Sequence, residues 1–392
     1  MKQNTDNEKP VPERVAHVEL SDQHVKLRTV LLIALACVTL VSMLFGLNAL
    51  IGAKAGMQEI TLDATGTFEC CKYFTFYYDI GADGSSPAAQ KKALRSLYAK
   101  AVTESYQLFC ADTEYENEIN LSYLNSHPNT DIKVPHALYE ALSTLENSNT
   151  RYHYLAPAYE LYASLFRCSD DVEAASYDPR QNASLRAFFI QCAAYANDPA
   201  SVGLDLLGGD TVRLFVSDEY MHFAGDNAIT CYVDLLWLKN AFCTDYIASV
   251  LRENGYTRGT VISYDGFICH LGDAPETQFD YTFSHRQDNV IAAWKTLSFS
   301  HPASIVYLHD YPFGYEDEDN YYVYGSGETV FPFVDVSDGM YKCAAPEIVA
   351  CSADMSLAEL ALRIAPVFIA DTLDKQALGA LESSGIDIYM HP

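Results

Sequence analysis

The run Tyr315–Asn320 (YEDEDN) gathers four carboxylates, Glu316 through Asp319, on adjacent residues. Carboxylates at that density are natural oxygen donors for a divalent cation. The EF-hand pattern of alternating ligands, central glycine and terminal glutamate is missing, so a solvated hairpin tip is the favoured reading. His270, His285, His301 and His309 stand in strand-rich sequence and read as hydrogen-bonded structural imidazoles before they read as a general base. The chain has 11 cysteines, ten of them after residue 51, and none forms a C-x-x-C pair. With scattered histidines this excludes zinc spacing and leaves buried thiols with one or two bridges as the expectation. G-x-S-x-G, H-E-x-x-H, P-loop and G-x-G-x-x-G motifs are all missing, so no serine-hydrolase, zincin, nucleotide-loop or dinucleotide signature is present.

Composition narrows the class further. The 392 residues are 49% hydrophobic and 12% aromatic, enough to bury a large core as one domain or two. The formal charge of −27 opposes phosphate backbones and anionic membrane surfaces, which excludes nucleic acid as a partner. Residues 1–28 are polar and aperiodic and read as a disordered cytoplasmic tail. Thr29–Ile51 carries no charge and is long enough to cross a bilayer. Lys26 and Arg28 at its start place the N-terminus in the cytoplasm and the bulk of the chain outside the cell membrane, as a single-pass protein. The retained anchor is favoured, and a signal peptide cleaved near Ala53-Lys54-Ala55 is the competing reading. A linker, 52–64, then leads to one extracytoplasmic domain, 65–392.

The central stretch of that domain is Tyr232–Ile268. Leu235, Leu238, Phe242, Tyr246 and Val250 recur at spacings of three and four, with Cys243, Ile247 and Leu251 widening the stripe, so the periodicity predicts an amphipathic helix. Gly255 supplies its stop, and Thr260–Ile268 reads as a buried strand ending near Asp265-Gly266. Upstream, Thr65–Tyr78 reads as a strand in which Cys70 and Cys71 point to opposite faces. Pro87–Phe109 and Ala137–Leu145 read as helices separated by an acidic loop, 112–118. Residues 169–197 are helical, and Asp210–Phe215 with Glu219–Phe223 reads as a hairpin. Downstream come strands at Phe279–Phe283, Val290–Leu297, Ser304–Leu308 and Tyr321–Tyr324. The whole reads as an α+β domain of mixed antiparallel sheets and helices, preceded by one N-terminal transmembrane helix.

The order of these segments resembles the ApbE-type FAD:protein FMN transferases, a T-fold-related family. Gly66-Thr67 match the pair that opens the family's first strand. Leu121-Ser122-Tyr123-Leu124-Asn125 resembles the end of its S-E-[IL]-S-x-[LI]-N segment, and Asp234-Leu235 with Asp245 resemble the two ends of D-L-G-G-I-A-K-G-Y-A-x-D. Arg252 to Gly255 match R-x-x-G, Gly266 keeps one glycine of N-x-G-G, Asp335 and Gly339 match two positions of H-I-[IL]-D-P-[RK]-T-G, and Ala358-Glu359 stand at A-D-A-[LI]-[AS]-T. The resemblance implies flavin-site roles for Gly66, Thr67, Asn125, Asp234, Lys239 and Gly266, a catalytic role for Asp335 and a metal-ligand role for Glu359. It implies FAD and Mg²⁺ as cofactors, a hydroxyl of a target protein as FMN acceptor, and an extracytoplasmic electron-transfer subunit as the kind of partner.

The departures carry equal weight. Leu236-Trp237 replace the glycine pair, Asn240 stands at the lysine position with Lys239 one residue early, and Leu155 and Tyr159 change the segment that shapes the flavin site. Pro332 stands at the histidine and Arg363 at the metal threonine. Glycine-lined backbone and acidic ligands are what flavin phosphates and a transferring phosphoryl group require. Two functions therefore stand open: a divergent flavin transferase, or an inactive pseudoenzyme of the same fold that binds a ligand or partner, the second favoured on the chemistry. Leu236-Trp237 either fill the pocket or line it. The 28 tyrosines offer a stacking surface for sugar or flavin, or else serve as core residues with one wet edge.

Overall fold

A computed structural model describes residues 54–62, 69–116, 118–272, 278–287, 290–313 and 320–391. The described residues from Ala55 onward form one compact unit. The expected tail, 1–28, and membrane span, 29–51, lie outside the described residues. Among the described residues no helix is long and apolar enough to cross a membrane.

The strands are β1 (Gly56–Glu59), β2 (Phe74–Ile80), β3 (Asp131–Lys133), β4 (Val202–Gly208), β5 (Thr211–Val216), β6 (Gly259–Ser263), β7 (Phe267–His270), β8 (Phe279–Gln287), β9 (Val290–Phe299), β10 (Ala303–His309), β11 (Tyr322–Val323), β12 (Thr329–Val330), β13 (Glu347–Ser352) and β14 (Asp387–Tyr389). The helices are α1 (Pro87–Leu108), α2 (Leu121–Ser126), α3 (His136–Asn147), α4 (Ala156–Tyr162), α5 (Asp171–Tyr177), α6 (Ala183–Asn197), α7 (Asp218–Asp226), α8 (Lys239–Glu253), α9 (Leu357–Phe368) and α10 (Lys375–Ser383). A seven-stranded sheet in the order β1-β2-β6-β7-β10-β13-β14 is antiparallel at every pairing. β3-β5-β4 form a second sheet, and β8-β9 and β11-β12 are hairpins.

The central strands are buried on both faces. Phe267 and Cys269 of β7, Val306 and Leu308 of β10, and Ile348 and Ala350 of β13 enter the main core with α1, α8 and α9. The alternate residues, Ile268, Ile305, Tyr307, Val349 and Cys351, enter a smaller core closed by Phe283 and by Trp294, Leu297 and Phe299 of the β8-β9 hairpin. Double burial explains why these strands read as continuous apolar runs rather than as alternation.

α8 ends as the sequence implies. Gly255 takes φ +81°, its N–H reaches Arg252 O at 2.9 Å, and Tyr256 N–H reaches Leu251 O at 2.9 Å. This pairing satisfies the last carbonyls of the helix in a left-handed cap that glycine adopts without strain. The buried stripe is rotated from the predicted one: Ile247, Leu251 and Cys243 are fully buried, whereas Tyr246 and Val250 lie half-exposed at its edge.

Three local expectations change. Thr260–Ile268 is two strands, because the chain turns at Tyr264–Gly266 and β7 pairs back on β6. Gly266 has φ +96°, and a Cβ there would collide with the Tyr307 carbonyl oxygen. The predicted strand at 65–78 is described only from Glu69, where Glu69–Tyr73 form a 3₁₀ turn, so the strand begins at Phe74. Asp210–Phe215 pairs with Val202–Gly208 through a turn at Gly209-Asp210, both at positive φ; two such residues make the hairpin turn whose twist matches the strands. Glu219–Phe223 lies instead in α7. Ser217 caps that helix by accepting Tyr220 N–H, and Asp218 and Glu219 in the first turn favour the positive end of the helix dipole.

Cys110, Cys192, Cys243, Cys269 and Cys351 are buried free thiols. Burial pushes Cys192, Cys243 and Cys351 up to about 12 and Cys269 to about 11, so all four are protonated, inert core residues at neutral pH. His309 is a buried structural imidazole. Its Nδ1 lies 2.6 Å from Tyr311 O, and burial lowers its pKa to about 4.

Candidate functional site

A cavity of about 700 Å³ opens where the acidic loop after α1, the helices α2 and α4, the start of α8 and the β6-β7 turn converge. Asn125, at the end of α2, fastens its floor. Its side-chain oxygen accepts Tyr232 N–H at 2.9 Å and Val233 N–H at 3.0 Å, and its amide donates to Val233 O at 2.9 Å. A buried amide is retained when its groups are satisfied in this way. The consequence is positional, because Asp234 follows directly.

Asp234 donates its backbone N–H to His153 O at 3.0 Å and accepts Leu235 N–H at 2.7 Å. Burial raises its pKa, and the charge of Lys239 works against that rise. Burial also opposes the charge on Lys239, but Asp234 and the neighbouring Tyr106 outweigh it and hold the lysine above its ordinary value. The Lys239 ammonium sits 4.2 Å from the centroid of the Tyr106 ring. It forms no hydrogen bond or ion pair among the described residues. Asp112, on the same wall, accepts the Cys110 thiol at 2.7 Å, and that bond, helped by Lys239, lowers its pKa.

Leu236 and Trp237 line the cavity rather than fill it. Leu236 takes φ +57°, a left-handed conformation that glycine adopts freely and leucine only under strain. Trp237 packs edge-on against Tyr152 and Phe333, with ring centroids 6.3 and 5.4 Å away, and its indole N–H has no acceptor among the described residues. Across the opening Tyr264 stacks on Tyr73 at 5.2 Å, and Asn240 holds Asp265 at 2.8 Å.

The structure thus brings Asn125, Asp234 and Lys239 together on one wall and leaves Gly266 one residue from it. Gly66 and Thr67 lie outside the described residues. Asp335 and Glu359 do not reach the cavity. Asp335 accepts Ser337 N–H at 2.8 Å and pairs with Lys342 Nζ at 3.0 Å. Gly339 closes that turn at φ +75° against the Phe189 carbonyl. Glu359 pairs with Arg363 at 2.9 Å on the exposed side of α9. Tyr73, Tyr106 and Asp112 are wall residues that the sequence motifs passed over. Their one sequence signal was position, at the ends of elements that enclose the helix opened by Asp234.

Asp245, the other end of that motif, is also structural. Its two oxygens accept Leu357 N–H and Ala358 N–H, both at 2.9 Å, and so cap α9 from the side of α8. Burial nonetheless raises its pKa from 3.8 to about 6. The folded state then binds the Asp245 proton more tightly than the unfolded state does. This contribution to stability is present in full below about pH 4 and is lost as the pH rises to about 6, an effect of about 2–3 kcal/mol. Denaturant titrations at pH 4 to 7 should show this fall in the wild type and a flatter profile in Asp245→Asn; parallel profiles would assign the slope to other groups.

Solved structures share this fold. The ApbE protein from Thermotoga maritima superposes with a TM-score of 0.56 at 12% identity, over 85% of this chain and 93% of that one. The chain has the ApbE fold. The flavin transferase ApbE from Vibrio cholerae gives 0.55 at 13% identity, over 86% of this chain and 93% of its own. The flavinyl transferase ApbE of Pseudomonas stutzeri gives 0.52 at 13%, over 86% and 89%. No sequence-family profile and no curated protein matches the chain. At such identity the likeness shows the fold and leaves the site and its chemistry to the residues present.

The described residues do not fit Mg²⁺. The ion needs several oxygen donors in near-octahedral array. Asp335, Glu359 and Asp245 are committed to Lys342, Arg363 and the α9 backbone, and the described residues hold no group of three His, Cys, Asp or Glu side chains able to take a metal. The aromatic wall suits a planar ring, but a diphosphate there would meet Asp112, Glu160 and Asp234, offset among the described lining residues by Lys239 and Arg167.

Proposed function

We propose that this protein is a binding module on the ApbE fold, a pseudoenzyme that holds a ligand in the 700 Å³ cavity and transfers no part of it. The observation that carries this reading is the commitment of Asp335 to Lys342, outside the cavity. A carboxylate paired with a buried ammonium offers nothing to a phosphoryl group some distance away, because metal-assisted transfer depends on donors aimed at the developing charge. A second reading, Mg²⁺-dependent transfer of FMN from FAD to a target hydroxyl, draws on the aromatic lining at Tyr73, Tyr106 and Tyr264. The apolar segment 29–51 and its flanking Lys26 and Arg28 support an anchor that holds the domain on the outer face of the cell membrane. There its partner would be an electron-transfer protein.

The test is AMP release by the full chain incubated with FAD, Mg²⁺ and a threonine-bearing acceptor protein. AMP at the no-enzyme level is expected. Release above that level that disappears with chelator would establish the transferase and end the pseudoenzyme reading.

A further inference from the structure

Among the described residues Lys239 has no counter-ion in contact. Its ammonium lies over the Tyr106 ring at 4.2 Å, and no carboxylate among the described residues comes within ion-pair reach. Burial opposes its charge, but Asp234, acting at longer range, and Tyr106 hold its pKa above the ordinary lysine value. The described residues leave a charged amine so placed without a hydrogen-bond acceptor, and a charge-assisted hydrogen bond from a ligand would complete it. The rest of the surface sets limits. Tyr73, Tyr264 and Phe166 present aromatic surface, which suits a planar ring. Asp112, Glu160 and Asp234 face the same space, so each negative charge beyond the one that Lys239 neutralises meets carboxylates in a partly desolvated site.

We propose that the ligand of this cavity is a planar aromatic monoacid, its single carboxylate on Lys239 Nζ and its ring against the wall of Tyr73, Tyr264 and Phe166. This rests on the binding-module reading and adds a charge rule to it. The rule is the reverse of what a diphosphate ligand demands.

Fluorescence titration of the full chain with 2-naphthoate, 2-naphthamide and naphthalene-2,6-dicarboxylate reads charge at constant ring. The monoacid should bind at least about tenfold more tightly than the neutral amide and than the diacid, as one charge-assisted contact provides. Lys239→Met should remove that preference, so that acid and amide bind alike, and Lys239→Arg should keep it. Should Lys239→Met fail to fold, the wild-type series and Lys239→Arg still decide the matter. Equal binding of acid and amide, tighter binding of the diacid, or no saturable binding of any of the three would overturn the proposal. AMP release from FAD by the same preparation would instead overturn the binding-module reading, whatever the charge series showed.

Discussion

Replacing Trp237 by alanine should lower the unfolding free energy by about 3–5 kcal/mol, the usual loss for a buried aromatic. Leu236→Gly should change it by less than about 1 kcal/mol. The two residues are neighbours on one wall, but they differ in what holds them. Trp237 is 8% exposed and wedged between Tyr152 and Phe333, so its removal leaves a gap those rings cannot close. Leu236 is half-buried at φ +57°, so glycine gives up contact area and relieves backbone strain at the same time. Equilibrium denaturation of the single variants measures both. A Trp237→Ala variant as stable as the wild type would mean that the indole is a removable plug and that the cavity is larger than its present walls.

A comparable loss, about 3 kcal/mol, should follow Lys342→Met. Lys342 Nζ lies 3.0 Å from Asp335, 2.9 Å from Asp338 and 3.2 Å from Asp371, and its side chain is 9% exposed. Its pKa is held well above the ordinary lysine value because these carboxylates overcome burial. Methionine fills the same volume and leaves three carboxylates facing one another with no cation. Solvent screens the exposed Asp338 and Asp371, which limits the loss; Asp335, largely buried, bears most of it. Adding Asp335→Asn to Lys342→Met should restore part of the stability. A double variant no more stable than the single one would show that packing of the lysine stem, not charge, is what the site loses.

Lys342 also shows why a motif position and a site residue are different things. Asp335 sits where the resemblance to ApbE transferases expects a catalytic carboxylate, and its turn is closed by Gly339 as that motif requires. The sequence around it contains Asp338 and Lys342 in plain view. Nothing in the spacing says that the ammonium folds back between them, because that depends on Asp371, some thirty residues on and brought near only by the fold. Asp245 repeats the point. Its place at the end of the α8 motif was legible, but its partners are the first amides of α9, more than a hundred residues away.

The amino-acid sequence by itself determined the elements with strong periodicity and clear stops: α1 after Pro87, α8 with its glycine cap, the buried runs of β6 and β10, and the α+β class with its order of segments. Those features depend on local backbone preference and on which side chains must leave water, and both are written in neighbouring residues. It also picked Asn125, Asp234 and Lys239. Tertiary structure alone decided that these three share a wall with Tyr73, Tyr106 and Trp237, that Leu236-Trp237 line a cavity without filling it, and that Asp335 and Glu359 stand away from it. It likewise turned Glu219–Phe223 into a helix and split Thr260–Ile268 into two strands. Each of these outcomes depends on pairings between distant segments, where the free energy of a side chain is set by partners that no local pattern names.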